Sequence, residues 1–549
     1  MTTDIGDGTD SEYKAKLAEL LDQLNGVTKR GTRAQVAKTH NKLAHHYVAG
    51  RDHEMAIEQF ERELDIRKES GEPVAQEACF NNIGSMYYES GRMDLAIAWF
   101  TEALTLATTR ANSRAVSLAH VNLALAHQRS KQFVQSGHFA SLVVDSQESD
   151  KPILVSALTI LAAAEQHRKE LGKAIAHATT ALEVAEDVQD AHLLECCLNN
   201  LAAYVFESKD YGHAYTIYER CLAVASVPKH QAAALYHMGV CAAEQNHVQV
   251  ADAHFTRAID VANSCNAPAL VALAQGCLGM LCFFRENLYD AHAELVMALQ
   301  TARFARSPVA EANIATGLGT VSVMESKFDE SATYFESDLA IATTHDDKYG
   351  QLRAHCNLGI NYLLSGDSSH AMHHFRSNLK IATVLGNKKE QALAYFGMGS
   401  AATEMKRHGI AMESTDEPLQ LFLRQKKYAV DVGDKRLQAM ASKAMVNLYD
   451  KQGAYEMALA ECEHLMAAAD AVGDVPLMAE SYATMASLLS SQLALLMQRG
   501  GSRFQDTINQ LTQKRDDVCA KYKVLYDTGK LHPSLRRQDV DRVVLLPWE

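Results

Sequence analysis

The stretch AHCNLGINYLLSGD, Ala354 to Asp367, decides the fold, because its spacing of apolar, small and turn-forming residues recurs along the chain. Gly359 follows an apolar Leu358, Tyr362 comes three residues later, and Gly366-Asp367 closes the segment as a helix end would. With Gly359 as a reference position, equivalents fall at Ala44, Gly84, Ala124, Ala162, Ala202, Gly239, Gly279, Gly319, Gly399, Val446 and Ala486. The steps along the series are 40, 40, 38, 40, 37, 40, 40, 40, 40, 47 and 40 residues. Every residue before a reference position is apolar, from Leu43 to Met485. Twelve residues after it stands a small residue (Ala56, Ala96, Ala371), and four further on an aromatic is frequent (Phe60, Phe100, Tyr218, Phe255, Phe335, Phe375). Four beyond that lies a large aliphatic such as Leu64 or Leu379.

A spacing of four is one helical turn, so small, aromatic and aliphatic residues stack on one helix face. The small residues let two antiparallel helices approach, and the aromatic fills the space beyond. Pro73, Pro152, Pro228, Pro268, Pro308 and Pro476 fall ten or eleven residues before a reference position, where a first helical turn tolerates proline. Gly91, Gly366 and Gly453 fall seven after one, where a left-handed residue ends a helix. Each unit therefore reads as a hairpin of two helices.

This grammar resembles the tetratricopeptide repeat family, whose usual unit is about 34 residues. A unit near 40 implies helices about a turn longer. The NLG segments, with Gly386-Asn387, Gly433-Asp434 and Gly473-Asp474 turns, are similar to the LGN/Pins and rapsyn branch. The resemblance implies an all-α, right-handed superhelical solenoid of about eleven or twelve helix-turn-helix repeats. It places an N-terminal tail and capping helix at 1–32, the solenoid at 33–490, capping helices at 491–528 and an extended tail at 529–549. Glu12 to Leu24 reads as the front cap, and Phe504, Ile508, Leu511, Val518, Tyr522 and Leu525 share a face of the last helix. The 47-residue step puts seven extra residues near 408–421, which lengthen a loop or interrupt a second helix. In the tail, Val543 to Trp548 is apolar and suits either the last helices or a partner.

Composition narrows function. A net charge of −14, with no basic stripe, disfavours nucleic acid as partner. Eleven cysteines, an odd number without a CxxC pair, point to reduced thiols and a cytoplasmic setting. The polar, acidic start MTTDIGDGTDSEY offers no leader, and the apolar run 270–284 is too short to span a membrane. No phosphate-binding glycine loop, zinc-ligand spacing, GxSxG or kinase motif appears. His370, His373 and His374 form an HxxHH cluster that reads as solvent-facing histidines, since a metal needs further ligands. The expectation is no cofactor, no metal and no catalytic residue.

What remains is protein recognition. Asn82, Asn122, Asn200 and Asn357 stand two residues before a reference position, about 100° around the helix from their apolar neighbour. In the resembling family that face lines a concave groove where asparagine amides clamp an extended segment. With His237 at the same position and Asn361 one turn on from Asn357, these six are the candidate partner-binding residues. The alternative is an asparagine bonded to the neighbouring repeat. The leading reading is a non-enzymatic scaffold in a multi-protein assembly, cytoskeletal or ciliary by family analogy. An LGN/Pins-like receptor for an extended peptide follows, then a regulatory subunit of an enzyme, and last a peptide-sensing transcription factor.

Overall fold

In the computed structural model the quoted stretch is the second half of a 17-residue helix, Lys348–Leu364. The Asp347 carboxylate caps its start by accepting from the Tyr349 and Gly350 amides at 3.1 and 3.0 Å. Gly366, at φ 89°, turns the chain, and Asp367 then caps the partner helix Ser368–Val384 through the His370 amide. Gly359 sits on the crossing. A Cβ there would lie 2.6 Å from the Phe375 ring, so the missing side chain is the space that the ring fills. Ala371, completely buried, supplies the other close approach, while His373 faces outward.

The structure describes residues 6–146, 150–411, 417–499 and 501–527. They hold 25 α-helices in two compact units, residues 1–257 and 258–549. Unit 1 opens with α1 (Gly6–Arg30) and continues with hairpins α2 (Arg33–Ala49)–α3 (His53–Glu69) and α4 (Pro73–Glu89)–α5 (Met93–Thr109). Next come α6 (Ser113–Arg129)–α7 (Phe133–Asp145), α8 (Lys151–His167)–α9 (Leu171–Val188) and α10 (Ala191–Glu207)–α11 (Tyr211–Val224). It ends with α12 (Pro228–Glu244) and the first part of α13 (Val248–Ser264). Unit 2 holds α14 (Pro268–Phe284)–α15 (Leu288–Phe304), α16 (Pro308–Met324)–α17 (Phe328–Thr344) and α18 (Lys348–Leu364)–α19 (Ser368–Val384). After these come α20 (Lys388–Arg407)–α21 (Pro418–Val432), α22 (Lys435–Lys451)–α23 (Tyr455–Val472) and α24 (Val475–Gln498)–α25 (Gln505–Asp527).

All twelve reference positions are the twelfth residue of an even-numbered helix. The ring-on-glycine crossing repeats in both units: Gly84 under Phe100 and Gly239 under Phe255, then Gly319 under Phe335 and Gly399 under Phe422. Burying one such ring contributes about 1.5–3 kcal/mol. Gly91, Gly366 and Gly453 are left-handed as the spacing predicts. Arg51, Lys131, Lys169, Lys209, Asn246, Glu286 and Ser326 hold the same conformation at the equivalent turn, so the turn outlasts the loss of its glycine.

Three places depart from the regular hairpin. The front cap is longer than Glu12 to Leu24, because α1 runs for 25 residues. The insertion lengthens α20 to 20 residues, moves the left-handed turn to Gly409 and starts α21 at Pro418, yet Phe422 still reaches Gly399. Its residues 412–416 lie outside the described residues, as does the apolar segment Val543 to Trp548. Finally, α24 passes residue 490 without a break.

Candidate partner-binding surface

At His237, Gly317, Asn357 and Gly397 the position two residues before the reference turns inward, whereas Lys42 is exposed and Asn82 and Asn200 are part-buried. Three of these pack on the aromatic or aliphatic ridge of the preceding hairpin. His237 stacks on Tyr218 at 4.8 Å between ring centroids and 11° between planes. Gly397 is closed by the Phe375 ring, 2.4 Å from where a Cβ would stand, and Gly317 by Leu295 and Met280. The expectation of a row lining an open groove is therefore corrected at Asn357 and His237, which enter a seam instead. A residue 100° off one helix seam lands on the next seam, because each first helix is flanked by two second helices.

The six candidates divide. Asn357 is 0% exposed and Asn361 1%, so neither amide faces water in the free chain. Asn361 donates from Nδ2 to the Phe328 carbonyl at 3.0 Å, tying α18 to the start of α17. Asn122 donates to Asn81 Oδ1 at 3.0 Å, from α6 to α4, and so also joins two repeats. His237 is held by the Tyr218 stack, and burial pushes its imidazole down to about 4. It is neutral at neutral pH and offers no cation to a partner. Asn82 and Asn200 are part-buried and are not brought together with the others by any bond within the described residues.

Two polar devices escaped the sequence reading. Gln76, Gln231, Gln351, Gln391 and Gln438 all stand eight residues before a reference position. Each donates from Nε2 to a carbonyl at the end of the preceding helix: Arg67 at 3.0 Å, Ala225 at 2.8, Ala342 at 3.3, Ala382 at 3.2 and Ala429 at 3.3. These are carbonyls of a last turn, which the helix itself leaves without a partner. The signal was present as glutamines at one register position, eight residues before the reference.

The second device is a buried acid nineteen residues after the reference. Glu63 accepts from Asn41 at 2.8 Å. Asp338, completely buried, accepts from Thr316 Oγ1 at 2.9 Å and from Arg353 at 2.9 and 3.2 Å. Burial raises the Asp338 carboxyl above its ordinary range, against the pull of Arg353 and Thr316. Arg353 reaches on to Asn313 Oδ1 at 3.3 Å, so one guanidinium pins α16, α17 and α18 together. Breaking such a buried pair from one side costs about 3–5 kcal/mol.

The histidine cluster also faces inward in part. His355 and His374 share a hydrogen bond between their Nδ1 atoms at 3.0 Å, and Tyr362 stacks on His374. Burial, then the neighbouring His355, His373 and His370, pushes His374 down to about 4, and burial also lowers His355. Among the described residues no group of three or more His, Cys, Asp or Glu is placed to hold a metal ion. None of the eleven cysteines is in a disulfide. Burial pushes Cys79, Cys221, Cys241, Cys356 and Cys462 up to about 12, so these thiols are protonated and poor nucleophiles. Among the described residues no helix is long and apolar enough to cross a membrane.

The tetratricopeptide repeat family model matches residues 35–109 and 193–264, which are α2–α5 and α10–α13. No curated protein matches the sequence. Solved structures with a similar path include BtubC from P. vanneervenii, at 18% identity over 40% of this chain and 92% of that one, with TM-score 0.34. A Rap protein complexed with competence and sporulation factor is 13% identical over 65% of this chain and 98% of its own, with TM-score 0.42. The quorum sensor NprR from B. thuringiensis is 17% identical over 61% and 99%, with TM-score 0.43. The two matched stretches, α2–α5 and α10–α13, carry tetratricopeptide repeats, and the same hairpin register runs from α2 to α25.

Proposed function

We propose that this chain is a non-catalytic scaffold that binds other proteins along the edge where successive hairpins join. The observation that carries the reading lies in unit 2. Phe304 and Val384 end α15 and α19, eighty residues apart in the same register, and are 82% and 77% exposed. Val309 and Tyr349, the second residues of α16 and α18, are 67% and 58% exposed. Large apolar side chains that recur outside the core at fixed register mark an interaction surface.

The fixed-scaffold version is preferred to an LGN/Pins-like clamp, because Asn122, Asn357 and Asn361 are already engaged inside the fold. Asn82 and Asn200 are the amides left for a partner. Family analogy places the scaffold in a cytoskeletal or ciliary assembly, with a regulatory subunit of an enzyme ranked behind it. To test the edge, Phe304, Val309, Tyr349 and Val384 are changed together to Ser and the chain is recovered from its native cells with its partners. The melting temperature should stay near that of the wild type while partners are lost. An unchanged set of partners at unchanged yield sinks the reading.

A further inference from the structure

Charge is spread unevenly over unit 2. Residues 368–451 hold thirteen Lys and Arg against eight Asp and Glu, while the rest of the chain holds 40 against 59. The contrast is sharpest along the second helices of the hairpins. α17 carries four acids and no Lys or Arg, and so does α23. Between them in the series, α19 carries Arg376 and Lys380 and no acid, and α21 carries Arg424, Lys426 and Lys427 with Asp431 as its one acid. Asp431 is matched by Lys388 at 3.5 Å, and Lys426 by Glu461 at 2.7 Å. Lys380, Arg424 and Lys427 are exposed and make no ion pair among the described residues. Lys380 and Lys427 each stand five residues after a ring seated on a reference glycine, Phe375 or Phe422, so they hold the same register on α19 and α21. Arg424 lies over the Tyr395 ring, 5.9 Å from its centroid, and Tyr395 stacks on Tyr428, which partly places the guanidinium before any partner arrives. No basic stripe marks this face in the sequence, because the two lysines are 47 residues apart and the fold brings their helices into line.

We propose that the exposed side of α19 and α21 binds a short acidic segment of a partner protein. Both helices pack on α20. At a usual separation of about 8–10 Å from that shared neighbour, the two lie within about 20 Å of each other. An extended segment of about six residues covers that span. Arg424 is suited to hold a carboxylate through two parallel hydrogen bonds, and the two lysines add compact point charges. The acidic helices on either side set the limit. A long polyanion such as nucleic acid, or an anionic lipid surface, would meet α17 and α23 as well, and like charges brought together repel. This inference rests on the protein-binding reading and gives one contact its chemistry, away from the apolar edge where the hairpins join.

The test uses the full chain and a fluorescently labelled hexaglutamate peptide, read by polarisation at about 0.15 M salt, where a screening length of about 8 Å mutes the negative charge elsewhere on the chain. Saturable binding is expected, at least tenfold weaker when Lys380→Glu and Lys427→Glu are combined, and absent with labelled hexaglutamine. Equal binding by hexaglutamine, unchanged binding in the double variant, or no saturable binding to the wild type overturns the proposal. If the double variant melts lower than the wild type, Lys380→Gln with Lys427→Gln replaces it and should weaken the peptide at least threefold; unchanged binding there overturns the proposal as well. A single-stranded oligonucleotide or phosphatidylserine vesicles bound more tightly than the peptide would make another polyanion the occupant, which also overturns it. Glu336→Lys, on α17 at the register of Arg376, removes a flanking acid and should favour a dodecaglutamate peptide more than the hexamer; equal effects on the two count against the limit set by the flanks. The Ser variant of the apolar edge should bind hexaglutamate as the wild type does. Failure of the peptide to bind, with partners still lost from the edge variant, therefore sinks this inference and leaves the protein-binding reading standing.

Discussion

The seams between hairpins are built differently in the two units. In unit 1, Tyr218 meets the ring of His237, and Asn122 reaches Asn81 from a part-buried position. In unit 2, Phe375 is pressed between two bare glycines, Gly359 and Gly397, and Asn361 is sealed onto a backbone carbonyl. Equivalent seams thus form a polar, part-open joint in one place and a dry, closed joint in another. The difference shows that repeat position fixes the direction of a side chain, while the residue it meets fixes what that side chain can do.

The closed joint should break hardest. Phe375→Ala removes a ring that fills two gaps at once and should cost about 3–5 kcal/mol, read by denaturant unfolding. A loss below about 1 kcal/mol would mean that the joint collapses readily onto the two glycines. Asn361→Ala leaves the Phe328 carbonyl buried and unpaired, at about 1–3 kcal/mol. Asn122→Ala, in the part-open joint, should cost only about 0.5–1.5 kcal/mol. Equal losses for the two asparagines would erase the contrast.

Acid sharpens the comparison. His374 in unit 2 and His237 in unit 1 both have folded values near 4, below the ordinary 6.5. Between these values the unfolded chain binds more protons than the folded one, so stability is full above about pH 6.5 and falls as pH drops towards 4. His374→Gln should flatten that slope, because protonation of both partners also destroys the Nδ1-to-Nδ1 bond with His355. Melting temperatures of wild type and variant across this window check it, and parallel curves would place the acid sensitivity elsewhere. The smallest effect belongs to Asn82→Ala and Asn200→Ala, expected to stay within about 0.5 kcal/mol of wild-type stability. If either weakens partner recovery without moving the melting curve, it faces the partner.

The register of the fold was legible because its cause is local. A glycine, an alanine twelve residues on and a ring four beyond that meet within one hairpin, as Gly359, Ala371 and Phe375 do. The fate of the asparagine row was not, because its neighbours come from the hairpin before. Position relative to Leu358 says that Asn357 leaves one seam, but only the packed structure says that it enters another. Arg353 hides its role for the same reason: its acid, Asp338, lies in the preceding repeat.

The glutamine that closes each preceding helix has a consequence for how the chain is made. Gln391 finishes the Ala382 carbonyl, which already accepts from the Asn387 amide, and so fills its second lone pair. The closing group belongs to the hairpin that is synthesised later. Translation at roughly 5–20 residues per second delivers a 40-residue unit every few seconds, whereas a helix forms in about a microsecond. The five hairpins closed in this way therefore spend most of their early life helical but with one lone pair of that carbonyl still unfilled, until the glutamine of the next hairpin emerges. Polarity of this kind makes N-to-C addition the natural order of assembly.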